Sequence, residues 1–96
     1  MLKHIVMWKL KDENREAHAQ QMKQMLEAMQ GKVAGLRHIE VGINAIAGTD
    51  TADVVLYSEF DHEQALQAYH DHPDHLAIKD FVKNVRLSRQ QADYFN

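Results

Sequence analysis

The chain has 96 residues, 45% hydrophobic and 26% charged, with one proline, no cysteine and a net charge of −3. That is enough for a single domain over residues 1–96 that buries roughly two thirds of its unfolded surface, and small enough for a partner chain to help close the core. The balance excludes disorder and, lacking a basic face to release phosphate counterions, disfavours nucleic acid as a partner; the missing cysteines remove disulfides, thiolate nucleophiles and thiolate zinc sites.

The opening, MLKHIVMWKL, has lysines inside its apolar run and no small-residue cleavage site, which makes a poor signal peptide. No apolar run approaches the roughly eighteen residues of a membrane span, so the expectation is a cytoplasmic protein with no membrane partner. From Leu2 to Lys11, Leu2, Val6, Trp8 and Leu10 share one side and Ile5 and Met7 the other, with His4 on the Trp8 side. Period two with apolar residues on both faces predicts a strand covered on both sides. In the next segment Ala19, Met22, Met25, Leu26 and Met29 recur at helical spacing, with Asp12 as N-cap and Gly31 past the end. The methionines, with Trp8 and Phe81, read as core.

LRHIEVGIN alternates Ile39, Val41 and Ile43 with His38, Glu40 and Asn44, a half-buried strand. After the turn AIAGTDTA, DVVLYSEF is a third strand, again apolar on both faces. Asp61 and Gln64 stand in capping-box spacing, so a helix begins near His62. Pro73 disfavours helical geometry at His72 but fits the first turn of a new helix, which predicts a break at Asp71 and His72. The new helix runs to about Asn84 and buries Ala77, Ile78, Phe81 and Val82, with Asp74 in its first turn. The polar segment VRLSRQQADYF is assigned as a fourth strand chiefly because the topology needs one.

This order predicts a ferredoxin-like α+β fold, βαββαβ with its second helix broken at Pro73, and a four-stranded antiparallel sheet covered by helices on one face. The other face, with Ile5, Met7, Val55 and Tyr57, would be bare and apolar. A patch of that kind predicts a homodimer through the sheet face.

LKHIVMWKLKDE, GLRHIEVGIN, ADVVLYSEFD and above all ALQAYHDHPDH resemble the stress-responsive A/B barrel (Dabb) family of the dimeric α/β-barrel superfamily, a likeness spanning Met1 to Phe95. The resemblance implies two four-stranded sheets closing into a barrel across a two-fold axis. Most members have no established activity, but a plant branch includes a cofactor-free polyketide cyclase that uses histidines and a tyrosine. Its first-strand histidine corresponds to His4, its tyrosine to Tyr69 and its histidine after the proline to His75, whereas its third-strand histidine is replaced here by Val54.

Three constellations carry candidate chemistry. His70-Asp71-His72-Pro73-Asp74-His75 fits an H-x-H-x-D-H metal pattern, but its placement at a helix N-terminus and the lack of distant ligands argue for no functional metal site. His72 reads as a helix cap, and His62 and His70 as pointing to solvent. His4 on its strand, His75 in the first turn of its helix and Tyr69 on the preceding helix are the candidate catalytic residues: one imidazole takes a proton next to a carbonyl while the phenol or the second imidazole steadies the enolate. The alternative is a satisfied buried polar network that fixes helix on sheet.

Gly42 and Gly48 lack the companions of a phosphate loop, no serine stands in a nucleophile elbow, and no cofactor is expected. The reading is thus a homodimer with a cleft for a small carbonyl or phenolic ligand. Cofactor-free acid/base or oxygen-dependent chemistry, or a structural dimer without ligand, are the alternatives.

Overall fold

The computed structural model describes all residues from Met1 to Asn96. The chain runs β1 (Leu2–Leu10), α1 (Arg15–Glu27), β2 (Leu36–Ile43), β3 (Val54–Phe60), α2 (Glu63–Asp71), α3 (Pro73–Val85) and β4 (Arg86–Phe95). The strands form one antiparallel sheet in the order β2-β3-β1-β4. This is the predicted ferredoxin-like arrangement, with the first strand in the interior of the sheet and the last at its edge.

Alternation decides the two faces. Leu2, Val6, Trp8 and Leu10 of β1, Val54, Leu56 and Phe60 of β3 and Ile39 and Val41 of β2 are buried beneath the helices. Helix α1 contributes Ala19, Met22 and Leu26, α2 Ala65, Leu66 and Tyr69, and α3 Ile78, Val82 and Val85. Two polar side chains share this layer, His4 and Ser58. The Ser58 hydroxyl donates to the His4 carbonyl at 2.9 Å, so its burial is compensated. On the opposite face Met7 is 46% and Val55 36% exposed, and no helix covers them.

The Pro73 reading holds: α2 stops at Asp71, and His72 serves as C-cap of α2 and N-cap of α3, with its Nδ1 accepting the Asp74 N–H at 3.0 Å. Two other caps differ from expectation. Helix α1 starts behind Asn14, which adopts a left-handed conformation and makes no side-chain cap, while the Asp12 carboxylate accepts from Arg15 at 3.1 Å. At α2 the cap is the His62 ring, whose Nδ1 accepts the Ala65 N–H at 3.1 Å. Asp61 is drawn away by a two-pronged bond from Arg37, at 2.6 and 2.7 Å, because the charged fork outcompetes a local cap.

Ala77 is exposed and Phe81 half-buried, since α3 turns its Ile78–Val82–Val85 stripe to the sheet. Ile43, at the end of β2, is 36% exposed. Gly35 links α1 to β2 at φ 88°, and a Cβ there would stand 2.6 Å from that of Ala65; the strand can approach α2 only with glycine at this point.

Candidate functional site

The helices cover β1 and β3 but leave the inner side of β4 largely open. In the space so formed lies a cavity of about 610 Å³. Its floor is β1 with His4, Val6 and Trp8, one wall is Tyr69 and His70 of α2 with His75 and Ile78 of α3, and the other is β4 with Arg86, Arg89 and Gln91.

His4 arrives on the floor by strand parity, between Leu2 and Val6, and is 1% exposed. Antiparallel pairing sets Asp93 of β4 opposite it, and His4 Nδ1 lies 2.5 Å from Asp93 Oδ1. Burial pushes the imidazole below its usual pKa by more than the carboxylate raises it, so His4 is neutral near pH 7. Burial acts to raise the Asp93 carboxyl, but bonds from Gln91 and His4 hold it low and ionised. A neutral imidazole beside a carboxylate donates Nδ1–H, leaving Nε2 as an acceptor with no protein partner.

Tyr69 is fully buried, and its ring packs 5.3 Å from Phe60 and 4.5 Å from His75. Its hydroxyl nevertheless has no hydrogen-bond partner, and neither does the indole N–H of Trp8. Burial pushes the phenol above its usual pKa, so it stays a proton donor. His75 Nδ1 lies 3.2 Å from the His70 carbonyl, which can only accept, so Nδ1 carries the proton. Burial lowers its pKa to about 4, with neighbouring His70 adding to the shift. Like His4, His75 is therefore a neutral ring with Nε2 free to accept.

The three predicted residues are brought together: the His4 ring is 6.3 Å and the His75 ring 4.5 Å from Tyr69. His70 corrects the expectation of a solvent-facing residue. Its ring stands 5.3 Å from His4 and 5.4 Å from His75, and burial, then repulsion from His4 when that ring is protonated, lowers its pKa. His72 remains apart as a cap, and no three His, Asp or Glu side chains are grouped to hold a metal ion. Val54, where the cyclase branch carries a histidine, is fully buried opposite Trp8 and outside the cavity lining.

Asp93, Arg89 and Trp8 are site residues that the sequence reading missed. The signal for two of them lies in β4, where Arg89, Gln91 and Asp93 recur at period two on the side that pairs with the inner face of β1. A polar stripe facing a core layer marks a polar cavity wall.

Residues 2–96 match the family described as the stress responsive A/B barrel domain. The chain belongs to this family. A dimeric protein of unknown function and ferredoxin-like fold from Bacteroides fragilis NCTC 9343 is 35% identical to this Dabb protein, over 99% of this chain and 95% of its own, with a TM-score of 0.90. Two further solved structures agree in fold. A dimeric ferredoxin-like protein of unknown function from Thermobifida fusca is 20% identical over 99% of this chain and 90% of its own, TM-score 0.88. A Dabb family protein from Mesorhizobium loti is 22% identical over 99% and 95%, TM-score 0.79. No curated protein matches the chain in sequence. No helix is long and apolar enough to cross a membrane.

Proposed function

We propose that this Dabb protein is a cytoplasmic homodimer, paired through the bare face of its sheet, whose cavity binds a small carbonyl or phenolic molecule. The observation that carries the reading is the Tyr69 hydroxyl, buried and unpartnered on a residue that lines a cavity of about 610 Å³ between neutral histidines. A buried donor without an acceptor costs stability, and a ligand oxygen in the cavity offsets that cost. The dimer is supported by the exposed Met7 and Val55 and by the dimeric state of the 35%-identical relative.

A second reading, cofactor-free acid/base catalysis, is favoured by the His4–Asp93 pair. Asp93 holds the ring in the tautomer that presents Nε2 as a base and stabilises the imidazolium formed once Nε2 takes a proton. The proton would come from a carbon next to the ligand carbonyl, with Tyr69 O–H donating to the enolate oxygen. A stress-related role follows only from the family's name and adds no mechanism.

The test is a thermal-shift screen of phenolic, polyketide-like and keto-acid compounds in chelator-treated buffer, against wild type and His75→Ala, with circular dichroism confirming that both fold. Compounds that raise the melting temperature of wild type but not of His75→Ala support a ligand site, since binding to the native state alone stabilises it by mass action. No shift from any class turns the reading toward a structural dimer in which His4, Tyr69 and His75 only pack helix on sheet.

A further inference from the structure

The chain has eleven lysines and arginines. The first seven, from Lys3 to Arg37, each donate to a protein oxygen within 3.3 Å. The last four, Lys79, Lys83, Arg86 and Arg89, take part in none of the chain's ion pairs, and all four line the cavity. In a molecule of net charge −3, every basic side chain without a partner is gathered at one site.

The fold arranges this by two devices. Lys79 and Lys83 are four apart and so share one side of α3. On β4 the pairing with β1 shifts between Lys9 and Leu10, so that Arg86 stands opposite Leu10 while Arg89 stands opposite Trp8. Without the bulge, residues 86 and 89 would point to opposite faces; with it, both reach the cavity. The nearby anions are committed elsewhere. Asp93 is bound to His4 and Gln91, and Asp71 accepts from Gln67 at 3.1 Å. Deeper in, the unpartnered Tyr69 hydroxyl and Trp8 indole N–H add two donors, both from buried side chains. Burial, then the neighbouring charge of Arg86, weighs against the Arg89 cation by more than nearby Asp93 supports it, and an anion between the two arginines would offset both.

We propose that the ligand of this cavity carries an anionic oxygen head group, a carboxylate or a phosphate, met by Arg86 and Arg89 with Lys79 and Lys83 alongside, while its carbonyl or phenol end reaches Tyr69 and Trp8. The proposal rests on the reading of the cavity as a ligand site and names the class of ligand. Arginine is suited to this task because its planar fork binds either head group in two-pronged fashion.

The test uses three probes on the intact protein, 4-hydroxybenzoate, methyl 4-hydroxybenzoate and 4-hydroxyphenyl phosphate, with dissociation constants from chemical-shift titration at low and high salt. In wild type the benzoate binds about tenfold or more tighter than its ester, as a charge-assisted bond should give. The advantage shrinks at high salt. Arg89→Gln, or Arg86→Gln with Arg89→Gln, removes the advantage of the benzoate over the ester. Tighter binding of 4-hydroxyphenyl phosphate than of 4-hydroxybenzoate, with the same arginine dependence, assigns the head group as phosphate; the reverse assigns carboxylate. Equal binding of benzoate and ester in wild type, or an advantage that survives the double substitution, overturns the proposal. The cavity reading then still stands if Tyr69→Phe weakens the ester. Absence of binding by all three probes overturns both.

Discussion

Replacing Tyr69 by Phe separates a ligand site from a packing network, because the two predict opposite signs for the ligand-free protein. The ring is fully buried, packed 5.3 Å from Phe60 and 4.5 Å from His75, and Phe keeps both contacts. All that is lost is a hydroxyl with no partner. Burying such a group costs about 1–3 kcal/mol in protein mutational series, and for a residue in the lining of an open cavity the lower end applies, about 1 kcal/mol. Tyr69→Phe should therefore be more stable than wild type by about 1 kcal/mol, which for a domain of this size raises the melting temperature by about 4–8 °C. Urea denaturation at one fixed protomer concentration measures it, since a dimer's apparent stability varies with concentration. In the presence of a ligand from the screen the order reverses, because wild type gains a hydrogen bond that the variant cannot make. A ligand-free Tyr69→Phe destabilised by about 1 kcal/mol or more would refute the reasoning, since the hydroxyl would then be satisfied and structural.

Three other outcomes follow from the same geometry. Burial lowers the His75 pKa from 6.5 to about 4 in the folded chain, so between those values the unfolded chain binds more protons; stability is full above pH 6.5 and is lost as pH falls toward 4. His4 and His70 shift in the same direction, and His75→Gln should flatten part of the fall in a melting-temperature profile; an unchanged slope would count against a neutral buried His75. Asp93→Asn removes the carboxylate charge that helps raise the His4 pKa and leaves only a neutral acceptor, so NMR titration of the ring should show that pKa falling further. A rise, or no change, would mean that the carboxylate does not hold the ring. Met7→Glu with Val55→Glu, on the bare face, should yield a folded monomer by light scattering. A wild type that is already monomeric at micromolar concentration would remove the sheet-face dimer.

What could be read from the sequence was what local rules decide. The inward parity of β1 and β3, the helical spacing of Ala19, Met22 and Leu26, and the break at His72 depend on side-chain alternation, periodicity and proline sterics, and each holds in the structure. The caps failed where a distant group intervened. Asp61 has the right chemistry and position to cap α2, but Arg37, 24 residues earlier, takes its carboxylate, and His62 caps instead. His70 failed for a related reason. Its distance from His4 and His75 depends on the angle between α2 and α3, which Pro73 permits but does not fix.

Strand β4 is the more instructive case, since topology placed it correctly over VRLSRQQADYF while its polarity hid the part its inner side takes in the proposed ligand site. A strand that packs under helices shows apolar residues at every second position, but the inner side of β4 carries Arg89, Gln91 and Asp93, because the helices do not reach it. If β4 served only to complete the sheet, apolar residues on this side would bury more surface and hold the edge better. Instead the strand contributes the carboxylate that sets the His4 tautomer and, through its bulge, two unpaired arginines. The residues that weaken β4 as structure are the ones that equip the cavity, and a site of this kind is where sequence pattern and fold are expected to disagree.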